Sequence, residues 1–173
     1  MLAFGLGLQV GALLVALITA IFGGLVQALL PFSVRAGLFG LAALAVLLRE
    51  TGLVKLPVPE NKRLVPEEVQ HRGRLVGPIQ FGFEMGTGMR TYSPSALPHL
   101  VLLAVLLVLP FPGALAAGAG FALARWIMPA ASIGHGADGG WEDRWIAHRR
   151  LLAAGTALAM LTALGTGIVL TPW

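Results

Sequence analysis

Long apolar runs alternate with short polar stretches along the chain. No charged residue occurs in 1–34, 91–124 or 151–173, whereas sixteen of the twenty charged residues fall in 49–74 and 138–150. Hydrocarbon offers the backbone no hydrogen-bonding partners, so uncharged apolar runs of this length are typical of membrane-spanning helices. The pattern predicts an all-α integral membrane protein with about five transmembrane helices.

The whole chain, 1–173, is expected to form a single transmembrane domain. The predicted spans are 2–22, 35–48, 75–109, 114–128 and 146–170, and the predicted cytoplasmic loops are 49–74 and 129–145. Gly23 and Gly24 are expected to loosen the end of the first helix. Pro66-Glu67-Glu68 predicts a short interfacial helix, because proline suits the first helical turn and acids suit the positive end of the helix dipole.

The third run, 75–109, is too long for one straight span. At 1.5 Å per residue it would extend roughly 50 Å, against a hydrocarbon core of about 30 Å. Pro94 and Pro98 remove helical hydrogen bonds, so the run is either one broken helix or two spans. A single crossing places nine Lys and Arg residues on one side of the membrane against Arg35 on the other, whereas two crossings give six against four. The positive-inside rule therefore favours one broken helix, with the N-terminus and both charged loops cytoplasmic.

Composition excludes several classes of protein. Hydrophobic residues make up 57% of the chain and charged residues 12%, about half the usual share of charge, and the mean hydropathy is +0.83. The net charge of +4 comes from loop residues without interleaved aromatics, so no nucleic-acid partner is expected. The chain has no cysteine, which excludes disulfides, thiolate metal sites and thiol redox chemistry within it.

Two motifs carry a resemblance to a known family. The glycine-rich segment 82–88 (GFEMGTG) is followed by 92–98 (YSPSALP). Together they resemble the broken helix of the CcdA/DsbD-type membrane thiol carriers, in which a glycine-rich helical turn leads into Pro-Cys-x-x-Pro. The chain is also similar to MauE-like maturation proteins. Family members are built from two three-helix halves, and this chain resembles the last two helices of one half followed by all three of the next.

The chain departs from that family at the reactive positions. Ser95 stands where the motif carries its cysteine, and the first broken helix has no counterpart in the sequence. A serine hydroxyl cannot exchange disulfides, because the thiolate is the reacting species. The resemblance therefore implies the scaffold without the electron transfer.

Candidate site residues cluster around the predicted break. Glu84 and Arg90 are ionisable groups within the third span, six residues apart and so on opposite faces of a helix. Either they belong to a proton- or ion-responsive site beside the break at Pro94, or Glu84 is a satisfied structural acid and Arg90 snorkels near the outer interface. Tyr92, Ser95 and His99 either supply polar ligands to a substrate or ion, or belong to a kink that only shapes packing.

No catalytic motif is present, and no catalytic residue, cofactor or metal site is predicted. None of the four histidines lies three or four residues from another, and no nucleotide-binding or hydrolase signature occurs. Gly7-x-x-x-Gly11 and Gly82-x-x-x-Gly86 are small-residue faces that allow close helix approach, and packing within the chain is the favoured use.

Two functions are compatible with these patterns. The first is a non-enzymatic accessory, maturation or structural subunit in the inner membrane of a prokaryote, packed in the lipid bilayer against another membrane protein or against itself. The alternative is a small homo-oligomeric transporter for an ion or small solute, with the broken helix as its gate.

Overall fold

The computed structural model describes residues 1–55, 57, 66–69, 72–88, 95–134, 143, 146–148, 151 and 155. Regular structure in this part of the chain is helical: α1 (Leu2–Leu29), α2 (Phe32–Glu50), a 3₁₀ turn (Glu67–Val69), α3 (Val76–Thr87), α4 (Leu97–Leu107) and α5 (Phe111–Gly134). Helices α1, α2 and α5 are long and apolar enough to cross a membrane. The all-α membrane class is confirmed, while the number of spans stays a prediction.

Helix α1 continues where the sequence predicted that it would loosen. It passes through Gly23 and Gly24 and ends at Leu29, so the predicted end near residue 22 is wrong. A helix end inside an apolar environment leaves backbone groups unpaired, which outweighs the weak helix propensity of two glycines. Gly23 also has a packing role, since a Cβ there would lie 2.8 Å from the carbonyl oxygen of Val105 in α4.

Helix α2 is also longer than predicted. It begins at Phe32, directly after Pro31, and includes Arg49 and Glu50, which the sequence had assigned to the charged loop. The helix ends where the Thr51 hydroxyl donates to the carbonyl oxygens of Leu47 and Leu48, at 3.0 and 3.1 Å. The charged end of α2 therefore has a fixed helical geometry.

Helix α5 exceeds its predicted bounds at both ends. It begins at Phe111, with Pro112 in its first turn, where the missing amide hydrogen removes no helical bond. It then passes through Pro129 and ends at Gly134, so part of the predicted loop 129–145 is helical. The predicted last span, 146–170, lies for the most part outside the described residues and stays a prediction.

The third apolar run contains two separate helices. Helix α3 ends at Thr87, where Gly88 adopts a left-handed conformation with φ of 67°. Helix α4 begins at Leu97, and Pro98 lies in its first turn instead of interrupting a helix. Pro94 lies outside the described residues, so a break at that residue stays a prediction. The predicted short helix after Pro66 is confirmed as the 3₁₀ turn, with Val69 buried.

Both predicted small-residue faces are used in one interface, between α1 and α3. A Cβ added to any of the four glycines would collide with a carbonyl oxygen of the other helix: Ile79 for Gly7, Phe83 for Gly11, Phe4 for Gly82 and Leu8 for Gly86. The prediction of packing within the chain is confirmed. Because the paired residue numbers rise together, α1 and α3 run parallel.

Helix α5 runs antiparallel to α1. Gly118 of α5 approaches Ala12 and Ala16, and further along α5 the indole Nε1 of Trp126 donates to the carbonyl oxygen of Met1 at 3.4 Å. Helices α1, α3 and α5 thus meet along the first half of α1.

The buried apolar residues form two clusters. The first contains Leu8, Ala12 and Ala122, with Met85 and Phe121 packed on it, and joins the first half of α1 to α3 and α5. The second lies mainly on α2, on α4 and at the start of α5. The α1 residues packed on it, Ala20 and Val26, come from the second half of that helix. Its buried members are Phe39, Ala43, Leu100, Ala104, Val105, Leu107, Val108, Leu109 and Ala114. Helices α3 and α4 therefore lie in series along α1.

Candidate functional site

Glu84 lies on α3, two residues from both Gly82 and Gly86, and therefore faces away from α1. Its carboxyl oxygen Oε2 is shielded from solvent. Gln80, one turn earlier, donates from Nε2 to Glu84 Oε1 at 3.3 Å and accepts at Oε1 from Arg72 Nη1 at 3.1 Å. A chain of side-chain hydrogen bonds thus links the exposed Arg72 to Glu84.

A second cation approaches α3 next to Glu84. Arg125 of α5 donates from Nη1 to the carbonyl oxygen of Met85 at 2.8 Å, and its guanidinium lies 5.3 Å from the centre of the Phe121 ring. Arg125 is not among the site residues predicted from the sequence, although it is a lone charge between apolar stretches, which is the signal that could have identified it. Arg90, the other ionisable residue of the third predicted span, lies outside the described residues.

Ser95 and Glu50 satisfy the first amides of α4. Ser95 Oγ accepts from the amide nitrogen of Leu97 at 3.1 Å, and Glu50 Oε1, from the end of α2, accepts from the amide nitrogen of Ala96 at 2.8 Å. Arg49 Nη1 lies 3.0 Å from the same Glu50 oxygen. The Ser95 hydroxyl thus makes a local bond to an amide at the start of α4, and its predicted role as a substrate ligand stays a prediction.

His99 belongs to the first turn of α4, where its amide donates to the carbonyl oxygen of Ala96 at 3.1 Å. Its ring nitrogen Nδ1 is shielded from solvent. The structure thus brings Ser95 and His99 to one end of α4, together with Glu50, which sequence reasoning had assigned to a loop. Tyr92 lies outside the described residues.

Two polar side chains that were not among the predicted site residues bond the other end of α4. Gln27 of α1 donates from Nε2 to the carbonyl oxygens of Val105, Leu106 and Leu109, at 3.2 to 3.3 Å. Arg35 of α2, 8% exposed, donates to the carbonyl oxygen of Leu107 at 2.8 Å. Both could have been identified from the sequence, because each is a polar residue within or at the edge of an apolar run.

The chemistry of these contacts is mainly backbone capping. A positively charged group lies at the carbonyl end of α4 and a negatively charged group at its amide end, so both complement the helix dipole. Among the described residues, no group of three or more His, Asp or Glu side chains is placed to hold a metal ion.

The chain was also compared with known proteins, and no family model, curated protein or solved structure matches it.

Proposed function

We propose that this protein is an integral-membrane accessory or structural subunit that packs against another membrane protein. The observation that carries the proposal is the outer face of α2, formed by Ser33, Gly37, Gly40 and Leu44. These residues share one side of the helix, and all four are exposed. A maturation factor, as the likeness to MauE-like proteins implies, is one form of this role.

The outer face of α2 is suited to close helix approach. A Cβ added to Gly37 or Gly40 would meet no atom within 4 Å, while Phe39 and Ala43, towards the other side of α2, are buried. Small residues in apolar helices let a second backbone come near, which strengthens van der Waals contact where lipid removes the hydrophobic driving force. The glycines between α1 and α3 show how this chain uses such faces.

The polar side chains of the helices also favour a packing role. Gln9, Gln27, Arg35 and Arg125 each donate to a backbone carbonyl oxygen of another helix. Ser95 and Glu50 accept from backbone amides. A side chain that satisfies the backbone contributes to the bundle, and a transport site needs ligands directed at a passing solute instead.

Purification in a mild detergent at native expression, followed by native mass spectrometry, tests the proposal. We expect a stoichiometric second membrane protein with the wild-type chain. Gly37→Leu and Gly40→Leu should abolish that association, because the leucine side chain keeps the partner backbone away. Gly120→Leu is the matched control, since Gly120 is also exposed with open space around it and lies on α5.

Two results would contradict the proposal. One is a wild-type chain that purifies alone or only as a homo-oligomer. The other is a partner that remains bound equally well to Gly37→Leu, Gly40→Leu and Gly120→Leu.

The alternative proposal is a small homo-oligomeric transporter, and the observation that favours it is the hydrogen-bond chain from Arg72 through Gln80 to Glu84. Intramembrane acids mark ion and proton pathways in many membrane proteins. Under this proposal Glu84→Gln abolishes flux in reconstituted vesicles while expression and native mass are unchanged. If Glu84→Gln transports as fast as the wild type, Glu84 is not the gate.

The proposed topology is five spans in a prokaryotic inner membrane, with the N-terminus and both charged loops cytoplasmic. The arrangement of α3 and α4 in series along α1 supports a single interrupted crossing by 75–109. In this arrangement α3 packs near Phe4 and Leu8, and the end of α4 packs near Gly23 and Gln27.

A further inference from the structure

We propose that a water-filled recess opens on the cytoplasmic side of this protein and reaches the C-terminal end of α2 within the bilayer. The recess is a site for water at a depth where lipid would otherwise surround the chain. This inference goes beyond the proposed function and holds for a subunit and for a transporter. Two features carry it, namely the depth at which α2 ends and the exposure of the residues that follow that end.

The C-terminal end of α2 lies level with the middle of α1. Glu50 Oε1 accepts from the amide nitrogen of Ala96, so the last turn of α2 lies beside the start of α4. Near the other end of α4, a Cβ on Gly23 of α1 would lie 2.8 Å from the Val105 carbonyl oxygen. Ala96 comes nine residues before Val105, and α4 runs along α1 in the same direction with the same rise per residue. Ala96 and Glu50 are therefore level with about Leu14 of α1.

Apolar side chains continue beyond that level, towards the start of α1. From Leu14 back to Leu2, α1 extends roughly 18 Å without a charged residue. Leu2, Leu6 and Val10 in this part of the helix are exposed, Leu2 by 78%, and Val76 at the start of the neighbouring α3 is exposed by 60%. Large apolar side chains exposed along both helices are suited to lipid and unfavourable in water. The hydrocarbon region therefore extends past the level at which α2 ends.

Charged and non-helical chain occupies this depth. Arg49 and Glu50 end α2 as an ion pair with a separation of 3.0 Å. The amides of Leu53 and Val54 both donate to the Leu48 carbonyl oxygen, at 3.0 and 3.2 Å, which folds the chain back over the end of α2. The residues after α2 thus stay at the level of the helix end.

The segment 51–55 is not covered by protein. All five residues are exposed, and Leu53 is exposed by 75%. Non-helical backbone at membrane depth is tolerated only where it is buried in protein or lines a water-filled cavity, because hydrocarbon offers no hydrogen-bonding partner. A charged pair at such a depth also needs water or protein around it. Since protein does not cover this segment, water does.

Spin labels at Leu53 and Leu14 test the recess, because these two leucines lie at about the same level and the chain has no cysteine of its own. Both are exposed, so a label fits without repacking. With Leu53→Cys and Leu14→Cys labelled one at a time in liposomes, we measure collisions with a water-soluble nickel chelate and with oxygen. We expect the nickel chelate to dominate at Leu53 and oxygen to dominate at Leu14. Val54→Cys repeats the first measurement if Leu53→Cys does not fold.

Two further labels supply the references for this comparison. Lys55→Cys reports water, and Leu6→Cys reports lipid, since both positions are exposed. If oxygen dominates at Leu53 as it does at Leu6, no water reaches the end of α2. If the nickel chelate dominates at Leu14 or Leu6, that level lies outside the bilayer and α2 ends at the membrane surface. Either result overturns the proposal.

Discussion

Arg35 and Glu50 lie near opposite ends of α2 and bond opposite ends of α4. Arg35 Nη1 donates to the Leu107 carbonyl oxygen, and Glu50 Oε1 accepts from the Ala96 amide, both at 2.8 Å. An isolated helix of 11 residues is marginal in water, and its open ends are costly in lipid. One neighbouring helix thus supplies partners of the correct charge at both ends of a short apolar helix.

Arg35→Leu should destabilise the protein by about 1 to 3 kcal/mol, because a buried carbonyl oxygen of Leu107 loses its donor. Arg35→Lys should destabilise the protein less than Arg35→Leu, since lysine keeps the positive charge near the carbonyl end of α4. Reversible unfolding in detergent gives the free energies. Arg74→Leu, at an exposed cation, is the control, and an Arg35→Leu variant as stable as this control would contradict the assignment.

Gly86→Ala should destabilise the bundle by about 1 to 3 kcal/mol, because the new methyl group collides with the Leu8 carbonyl oxygen and forces α1 and α3 apart. Gly24→Ala is the matched change, since its Cβ meets nothing within 4 Å. It should be neutral or slightly stabilising through helix propensity. Thermal unfolding of the two variants side by side measures the difference, and equal midpoints would argue against the α1–α3 interface.

Gln27→Leu should cost more stability than Gln9→Leu. Gln27 donates to three carbonyl oxygens of the α4 end, whereas Gln9 makes one long bond of 3.4 Å to the Ala119 carbonyl oxygen. We expect the free energy of unfolding to fall by about 1 to 2 kcal/mol for Gln27→Leu and by under about 1 kcal/mol for Gln9→Leu. Unfolding free energies measured in one detergent decide the order, and the reverse order would show that α4 is not anchored through Gln27.

Ser95→Ala should lower the free energy of unfolding by about 1 kcal/mol, because the Leu97 amide loses a hydrogen-bond acceptor, and it should leave partner binding or flux unchanged. The hydroxyl accepts from the Leu97 amide and so acts on the start of α4. Assays of activity or association on folded Ser95→Ala protein make the comparison with wild type. Lost activity at normal stability would assign Ser95 to a ligand site instead.

A cysteine introduced at Lys55 should react with a membrane-impermeant maleimide only after the inner membrane is opened. Lys55 is exposed and follows α2 on the side predicted to be cytoplasmic. A cysteine in place of Pro31, in the turn between α1 and α2, is the opposite control and should react from outside. Labelling of the Lys55 position in intact cells would reverse the topology.

The apolar pattern by itself determined the class of the protein and the approximate place of its long helices. Long apolar runs with few charges locate α1, α2 and α5, because in hydrocarbon the backbone must satisfy its own hydrogen bonds. The helix ends predicted from the sequence were less accurate. The sequence placed Arg49 and Glu50 in a loop from their charge, whereas both belong to the last turn of α2, where they pair with each other and Glu50 accepts from the Ala96 amide.

The tertiary structure alone decided how the polar residues are used. Glu84, Ser95 and His99 were found from sequence because they interrupt an apolar run near proline, and Gln80, four residues before Glu84 on α3, was open to similar reasoning. The bonds of Glu50 to the Ala96 amide and of Arg125 to the Met85 carbonyl oxygen could not be found, because they join helices that are distant in the chain. The same limit applies to the glycines: their spacing predicted close approach, but only the fold shows that Gly7 and Gly11 meet α3 while Gly37 and Gly40 face outward. Spacing along one helix defines a face, and which surface that face meets depends on contacts between residues distant in the chain.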